Sequence, residues 1–195
     1  AVNFDGPTNS SWNEYFRISL MDSSGNILAS QDTGSDASLN AAVGSAGDYF
    51  VLVQDDSSYS SAEYSLTATT TEGSTSGIET ESNNSRTTAD SLVSGSAVKG
   101  QLSSRSDLDY YKITASSAGI IAVNFDGPTN SSYDYFKISL TDSSGNILTS
   151  QDTGSDTSFS AAIGSAGDYY VKVQDDYYYS SAEYSLTATT TEGST

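Results

Sequence analysis

The chain has 195 residues, 25 Asp plus Glu against 7 Lys plus Arg, a formal net charge of −18, and neither His nor Cys. So acidic a surface repels a phosphate backbone, which excludes nucleic acid as a partner. The missing imidazole and thiol exclude the common nucleophilic triads, disulfides and most zinc and iron sites, and they leave oxygen-seeking calcium as the metal the composition can serve.

Hydrophobic residues make up 35% and aromatic residues 11%, with 14 Tyr, which is enough apolar surface to build cores. No apolar run approaches the roughly 20 residues of a membrane span, so no membrane insertion is expected. No signal peptide is recognisable, and the mature start is expected elsewhere or in a longer parent.

Internal repetition is the strongest signal. The opening AVNFDGPTNSSWNEYFRISL returns from Ala122 as AVNFDGPTNSSYDYFKISL, and the match continues through DSSGNIL, SQDTGSD, GSAGDY and SSAEYSLTATTTEGST, so that Thr195 corresponds to Thr75. One full period is therefore Ser76–Thr195. Residues 1–75 read as an incomplete first β-sandwich repeat that lacks its N-terminal strands, and 76–195 as a complete one. Near-identical neighbours suit an extracellular stalk or filament better than an enzyme.

In chain order, 69–84 is rich in Thr, Ser, Glu and Gly and reads as the linker between repeats. Thr87–Leu92 offers at most one short helical turn. Ile120–Phe125 is a continuous extended run. In YFKISLT, Phe136, Ile138 and Leu140 share one face. Asp142–Asn146 is a turn in which Gly145 can take positive φ, and Gly164–Asp168 is another. In GDYYVKVQDD, Tyr169, Val171 and Val173 share a face, and in AEYSLTAT Tyr184, Leu186 and Ala188 do. About nine strands per full repeat, with turns between, predict an all-β fold of antiparallel, jelly-roll-like β-sandwich units in tandem.

The order Glu79-Thr80-Glu81-Ser82-Asn83-Asn84-Ser85, Gly100-Gln101-Leu102, Ser106-Asp107-Leu108-Asp109-Tyr110-Tyr111, Gly167–Val173 and Tyr184-Ser185-Leu186 resembles the bacterial pre-peptidase C-terminal domain, a secreted β-sandwich module. The collagen-binding domains of clostridial collagenases are similar. The resemblance implies calcium held by the acidic linker and the Asp-x-Asp segment, here Glu79, Glu81, Asn83, Asn84, Asp107 and Asp109, with Asn84 standing where the family often has Asp. The residues agree on their own terms: calcium takes 6–8 oxygens, Glu79 and Glu81 alternate on an extended linker, and Asp107 and Asp109 alternate at a strand start. The competing reading is a set of solvated acids on an acidic protein. The first repeat lacks the counterpart segment, so one such site is expected per chain.

Tyr177-Tyr178-Tyr179 is a candidate ligand or partner surface for polysaccharide or for host or matrix protein, against the plainer reading of tyrosines covering a sandwich edge. Copy one is more apolar on its outward face, with Met21 for Thr141, Leu52 for Lys172, Phe50 for Tyr170 and Trp12 for Tyr133, which predicts contact with a neighbouring unit or chain. Asp32, Asp36, Asp152, Asp156, Asp175 and Asp176 read as turn or loop residues rather than catalytic pairs. Asn9-Ser10-Ser11, Asn83-Asn84-Ser85 and Asn130-Ser131-Ser132 match the glycosylation pattern and read as turns.

These observations predict a non-enzymatic structural repeat of a secreted bacterial surface protein, adhesin or filament, stiffened by Ca2+, whose partners are neighbouring copies joined head to tail by strand complementation. A binding module and an accessory domain of a secreted hydrolase are the alternatives.

Overall fold

Period-two alternation in the sequence becomes alternating burial in the fold. The structure is a computed structural model that describes residues 1–7, 15–43, 46–57, 59–71, 77–128 and 132–193. Trp12, Asn9-Ser10-Ser11 and Asn130-Ser131 lie outside the described residues. The chain divides into two compact units, Ala1–Thr75 and Ser76–Thr195.

Unit 1 contains β1 (Val2–Asp5), β2 (Phe16–Met21), β3 (Ile27–Thr33), β4 (Ala37–Leu39), β5 (Phe50–Asp55) and β6 (Ser65–Ala68). They form two three-stranded antiparallel sheets, ordered β4-β1-β6 and β3-β2-β5. Val2, Phe4, Phe16, Ile18, Leu20 and Leu39 are buried in its core.

Unit 2 contains β7 (Asp90–Ser91), β8 (Ala97–Gly100), β9 (Leu108–Ala115), β10 (Gly119–Asp126), β11 (Phe136–Thr141), β12 (Ile147–Thr153), β13 (Thr157–Ile163), β14 (Gly167–Asp175) and β15 (Tyr184–Glu192). One sheet is ordered β13-β10-β15-β8 and the other β12-β11-β14-β9-β7. All pairs are antiparallel except β7 with β9. Val123, Phe125, Leu186 and Ala188 from the first sheet meet Tyr111, Ile113, Ile138, Val171 and Val173 from the second in one buried core. Two sheets closing on a shared apolar layer make a sandwich. Each fully buried side chain of this size stabilises by about 1.5–3 kcal/mol. The architecture is all-β, as the alternation predicts.

Strands β10–β15 repeat β1–β6 in order. The connecting turns repeat as well: Asp142 Oδ1 accepts from the backbone N–H of Ser144 at 2.9 Å and of Asn146 at 2.8 Å, while Asp22 does the same with Ser24 and Asn26 at 2.8 and 2.9 Å. Gly145 and Gly25 take φ of 91° and 87° there, a conformation that a side chain resists.

The described part of the predicted linker is not free. Ile78 forms a parallel bridge with Lys99 of β8; Glu79 N–H donates to Lys99 O and Lys99 N–H to Gly77 O, both at 2.9 Å. Thr88 N–H donates to Ser85 O, which makes a single turn where a short helical turn was the most the sequence offered. The described residues contain no helix, and none is long and apolar enough to cross a membrane.

Candidate metal centre

The docked segment after Gly77 and the start of β9 bring carboxylates together. One oxygen each of Glu79, Glu81 and Asp109 lie within 4.8 Å of one another. Alternation puts them there: Glu79 and Glu81 are two residues apart on an extended stretch, and Asp109 shares the inward face of β9 with Tyr111 and Ile113. Asn83 O accepts from Tyr110 N–H at 3.1 Å, which fastens the segment to β9.

Glu79 is buried, and Asn83 and Asp109 are fully so. Glu79 Oε1 accepts from Gln101 N–H at 2.5 Å, and Oε2 from the Tyr111 hydroxyl at 2.6 Å. The Tyr111 and Tyr184 hydroxyls are 2.7 Å apart, and the Tyr184 hydroxyl donates to Asp109 Oδ2 at 2.5 Å. With both hydroxyls donating outward to the carboxylates, the contact between the two hydroxyl oxygens has no hydrogen of its own; it gains one only when Glu79 or Asp109 is protonated and reverses its bond to the neighbouring tyrosine.

The electrostatics agree. Burial, then the charge of Asp107, pushes Glu81 up to about 9. Burial outweighs the Tyr111 and Gln101 hydrogen bonds at Glu79 and pushes it up to about 8. Burial and the neighbouring Glu79 and Asp107 hold Asp109 well above the usual carboxylate range, and burial raises both tyrosines. Ionising this cluster without a counter-charge is costly.

Five buried side-chain oxygens among the described residues receive no hydrogen bond, and three of them gather here: Glu81 Oε1, Asn83 Oδ1 and Asp109 Oδ1. Buried acceptors are normally paired, and an orphan costs about 1–3 kcal/mol. A hard cation is the kind of group that would supply what is missing. Calcium–oxygen distances of about 2.3–2.6 Å put opposite ligands about 5 Å apart, so the 4.8 Å cluster fits round one ion. The donor set is oxygen throughout, which suits a hard cation of the calcium kind rather than a soft metal.

Asp107 is placed differently. Its Oδ2 accepts from Ser103 N–H at 2.6 Å and its Oδ1 from Leu108 N–H at 2.9 Å, so it shapes the loop that presents Asp109. The Asn84 amide sits 2.7 Å from Asp107 Oδ1 and 3.0 Å from Leu108 O. Its nitrogen donates to both, so Asn84 braces the loop of Asp107 rather than offering an oxygen to an ion.

Four residues of this site are not among the ligands expected from the sequence. Asp90 Oδ2 accepts from Thr80 N–H at 2.7 Å and Asn83 Nδ2 at 3.4 Å, and burial raises its pKa. Gln101, Tyr111 and Tyr184 complete the inner shell. The alternation of Tyr184 with Leu186 and Ala188 signals only an inward-facing residue, which hides its polar tip.

The other singled-out residues have these places. Tyr177 is 75% and Tyr178 39% exposed, but Tyr179 turns to the core and donates to Leu102 O at 3.0 Å under Arg105. Tyr178 instead gathers Tyr177, Tyr133 and Tyr135, with ring centroids at 4.7, 5.0 and 5.8 Å. Phe50 and Leu52 are exposed on one face of β5, with half-buried Met21 paired to Phe50. Asp32 and Asp152 pair with Arg17 and Lys137, and Asp36 and Asp156 accept from Gly6 and Gly127 N–H. The buried Asn83 is not an accessible glycan acceptor.

No protein-family profile and no curated protein sequence matches the chain. Among solved structures, it is similar to the pre-peptidase C-terminal domain of a collagenase from Bacillus anthracis, at 22% identity and a TM-score of 0.41, over 51% of this chain and 93% of that one.

Proposed function

We propose that this chain is mechanical building material of a secreted bacterial surface protein, adhesin or filament: tandem β-sandwich units of pre-peptidase C-terminal type, in which calcium fastens the joining segment to the unit that follows. The carrying observation is the trio of buried oxygens without donors, Glu81 Oε1, Asn83 Oδ1 and Asp109 Oδ1, beside Glu79. These residues would hold the ion, with Asp107 and Asn84 shaping its rim. The ion supplies the positive charge that lets buried carboxylates ionise together. Without it the acids repel or take up protons, and the segment loosens from β8 and β9. Near-identical adjacent copies support a load-bearing role, since repetition multiplies length.

Isothermal titration with calcium tests the reading. Binding is expected with proton release near neutral pH, and Asp109→Asn should weaken it at least about tenfold through the lost ligand charge. Heatless titration of an otherwise folded chain, confirmed by equilibrium dialysis, would overturn it.

A second reading rests on the Tyr133, Tyr135, Tyr177 and Tyr178 cluster, of which Tyr133, Tyr177 and Tyr178 are exposed and suit stacking on a sugar or a fibrous protein. Retention on cellulose, chitin or collagen that Tyr177→Ala abolishes would favour it.

A further inference from the structure

Unit 1 is near-identical in sequence to the part of unit 2 that follows Ile121, so each serves as the other's control. In unit 2, β14 is flanked by β11 and β9, and β15 by β10 and β8. In unit 1, among the described residues, the counterparts β5 and β6 are paired on one side only, with β2 and β1. Val171, Val173, Tyr184 and Leu186 are at most 1% exposed. Their counterparts differ: Val51 and Val53 are half-buried, Tyr64 is 43% exposed and Leu66 39%.

The open side keeps the shape of the closed one. The Tyr64 ring lies 5.2 Å from Phe4 at 32° and 5.8 Å from Phe16 at 66°. Tyr184 lies 5.2 Å from Phe125 at 32° and 5.9 Å from Phe136 at 70°. The ring is already seated where a docked strand would meet it.

Among the polar contacts that tie the β8–β9 segment to the rest of unit 2 are the Tyr179 hydroxyl to Leu102 O, Gln101 Nε2 to Ser181 O, and the Tyr184 hydroxyl to Asp109. The receiving half of each persists in unit 1 as Tyr59, Ser61 and Tyr64.

We propose that the open edges of β5 and β6 form a socket for one kind of occupant, a polypeptide segment with the sequence of Ser76–Ile121, seated in the register that segment adopts in unit 2. Val51 then pairs with the segment's Tyr111 and Val53 with its Asp109, as Val171 and Val173 do. Tyr64 faces its Gly100 and Leu66 its Val98, as Tyr184 and Leu186 do. Exposed edge hydrogen-bonding groups and half-open apolar side chains supply the affinity. Tyr64 supplies the hydroxyl that Asp109 needs, so the occupant's cation site is completed by the socket. That last step rests on the calcium reading above; the socket itself does not.

The test mixes the full chain with a peptide of the Ser76–Ile121 sequence, with calcium and with chelator. The expected result is one peptide bound per chain, with amide exchange slowed at least about tenfold over Val51–Gln54 and Ser65–Ala68. Leu66→Arg, at a partly exposed site that should tolerate it, abolishes capture, and so does Val98→Asp in the peptide, which leaves the chain untouched. Capture of equal strength in chelator supports the socket and counts against the calcium reading. Absence of capture, capture indifferent to Leu66→Arg, protection confined to unit 2, or self-association of the chain through these same edges would overturn the socket.

Discussion

The hydroxyls of Tyr111 and Tyr184 stand between two carboxylates that would otherwise face each other in a dry interior. Tyr184→Phe removes the donor to Asp109 Oδ2 while keeping the ring, and should cost about 1–3 kcal/mol in chelator, the penalty of an orphaned buried acceptor. Chemical denaturation of both forms measures it. Gly100 is held by the same pair: a Cβ there would fall on both tyrosine hydroxyl groups. Gly100→Ala is therefore expected to destabilise by about 1–3 kcal/mol from overpacking and to weaken calcium binding as well. The first lesson of legibility belongs here. Glu79, Glu81 and Asp109 can be read from spacing, because alternation alone puts acids on one side of an extended chain. The tyrosine hydroxyls cannot, because alternation reports which way a residue faces and says nothing of what its polar end meets across two sheets.

The element that matters most is the stretch from Gly77 to Asn84. Composition marks it as linker, yet its backbone is bridged to β8 and bonded to β9. Strands, turns and the sandwich were legible because inward positions such as Val171, Val173 and Leu186 keep a strict period of two. The docking of this segment was not, since its partners Lys99 and Tyr110 lie on strands far along the chain and carry no local signal. Protonation governs how firmly it docks. Glu79 and Glu81 are raised from ordinary values to about 8 and about 9. Without metal the folded form holds protons that the unfolded chain has released. Their contribution to stability is full below the ordinary carboxylate range and is lost as pH rises through about 8 to 9, at about 1.4 kcal/mol per pH unit per extra proton. Melting temperature in chelator should therefore fall between pH 5 and 9. With calcium the carboxylates are ionised in the folded form too, and the fall should vanish. A flat profile in chelator would show that the cluster does not carry raised pKa values.

At the scale of the whole chain, one fold appears twice, in six strands and in nine among the described residues. Among the described residues, the acidic cluster lies in the larger unit alone. Cation binding should therefore stabilise the units unequally, which a bulk effect of salt on so acidic a protein would not do. At calcium 100-fold above its dissociation constant, linkage adds about 2.7 kcal/mol to the unit that binds, a rise of roughly 10 °C for a domain of this size. Differential scanning calorimetry of the full chain, with calcium and with chelator, tests the central claim most directly. The account predicts that calcium raises the transition of Ser76–Thr195 by that order, leaves that of Ala1–Thr75 in place, and loses its effect in Asp109→Asn. Superimposable scans in calcium and chelator would contradict it.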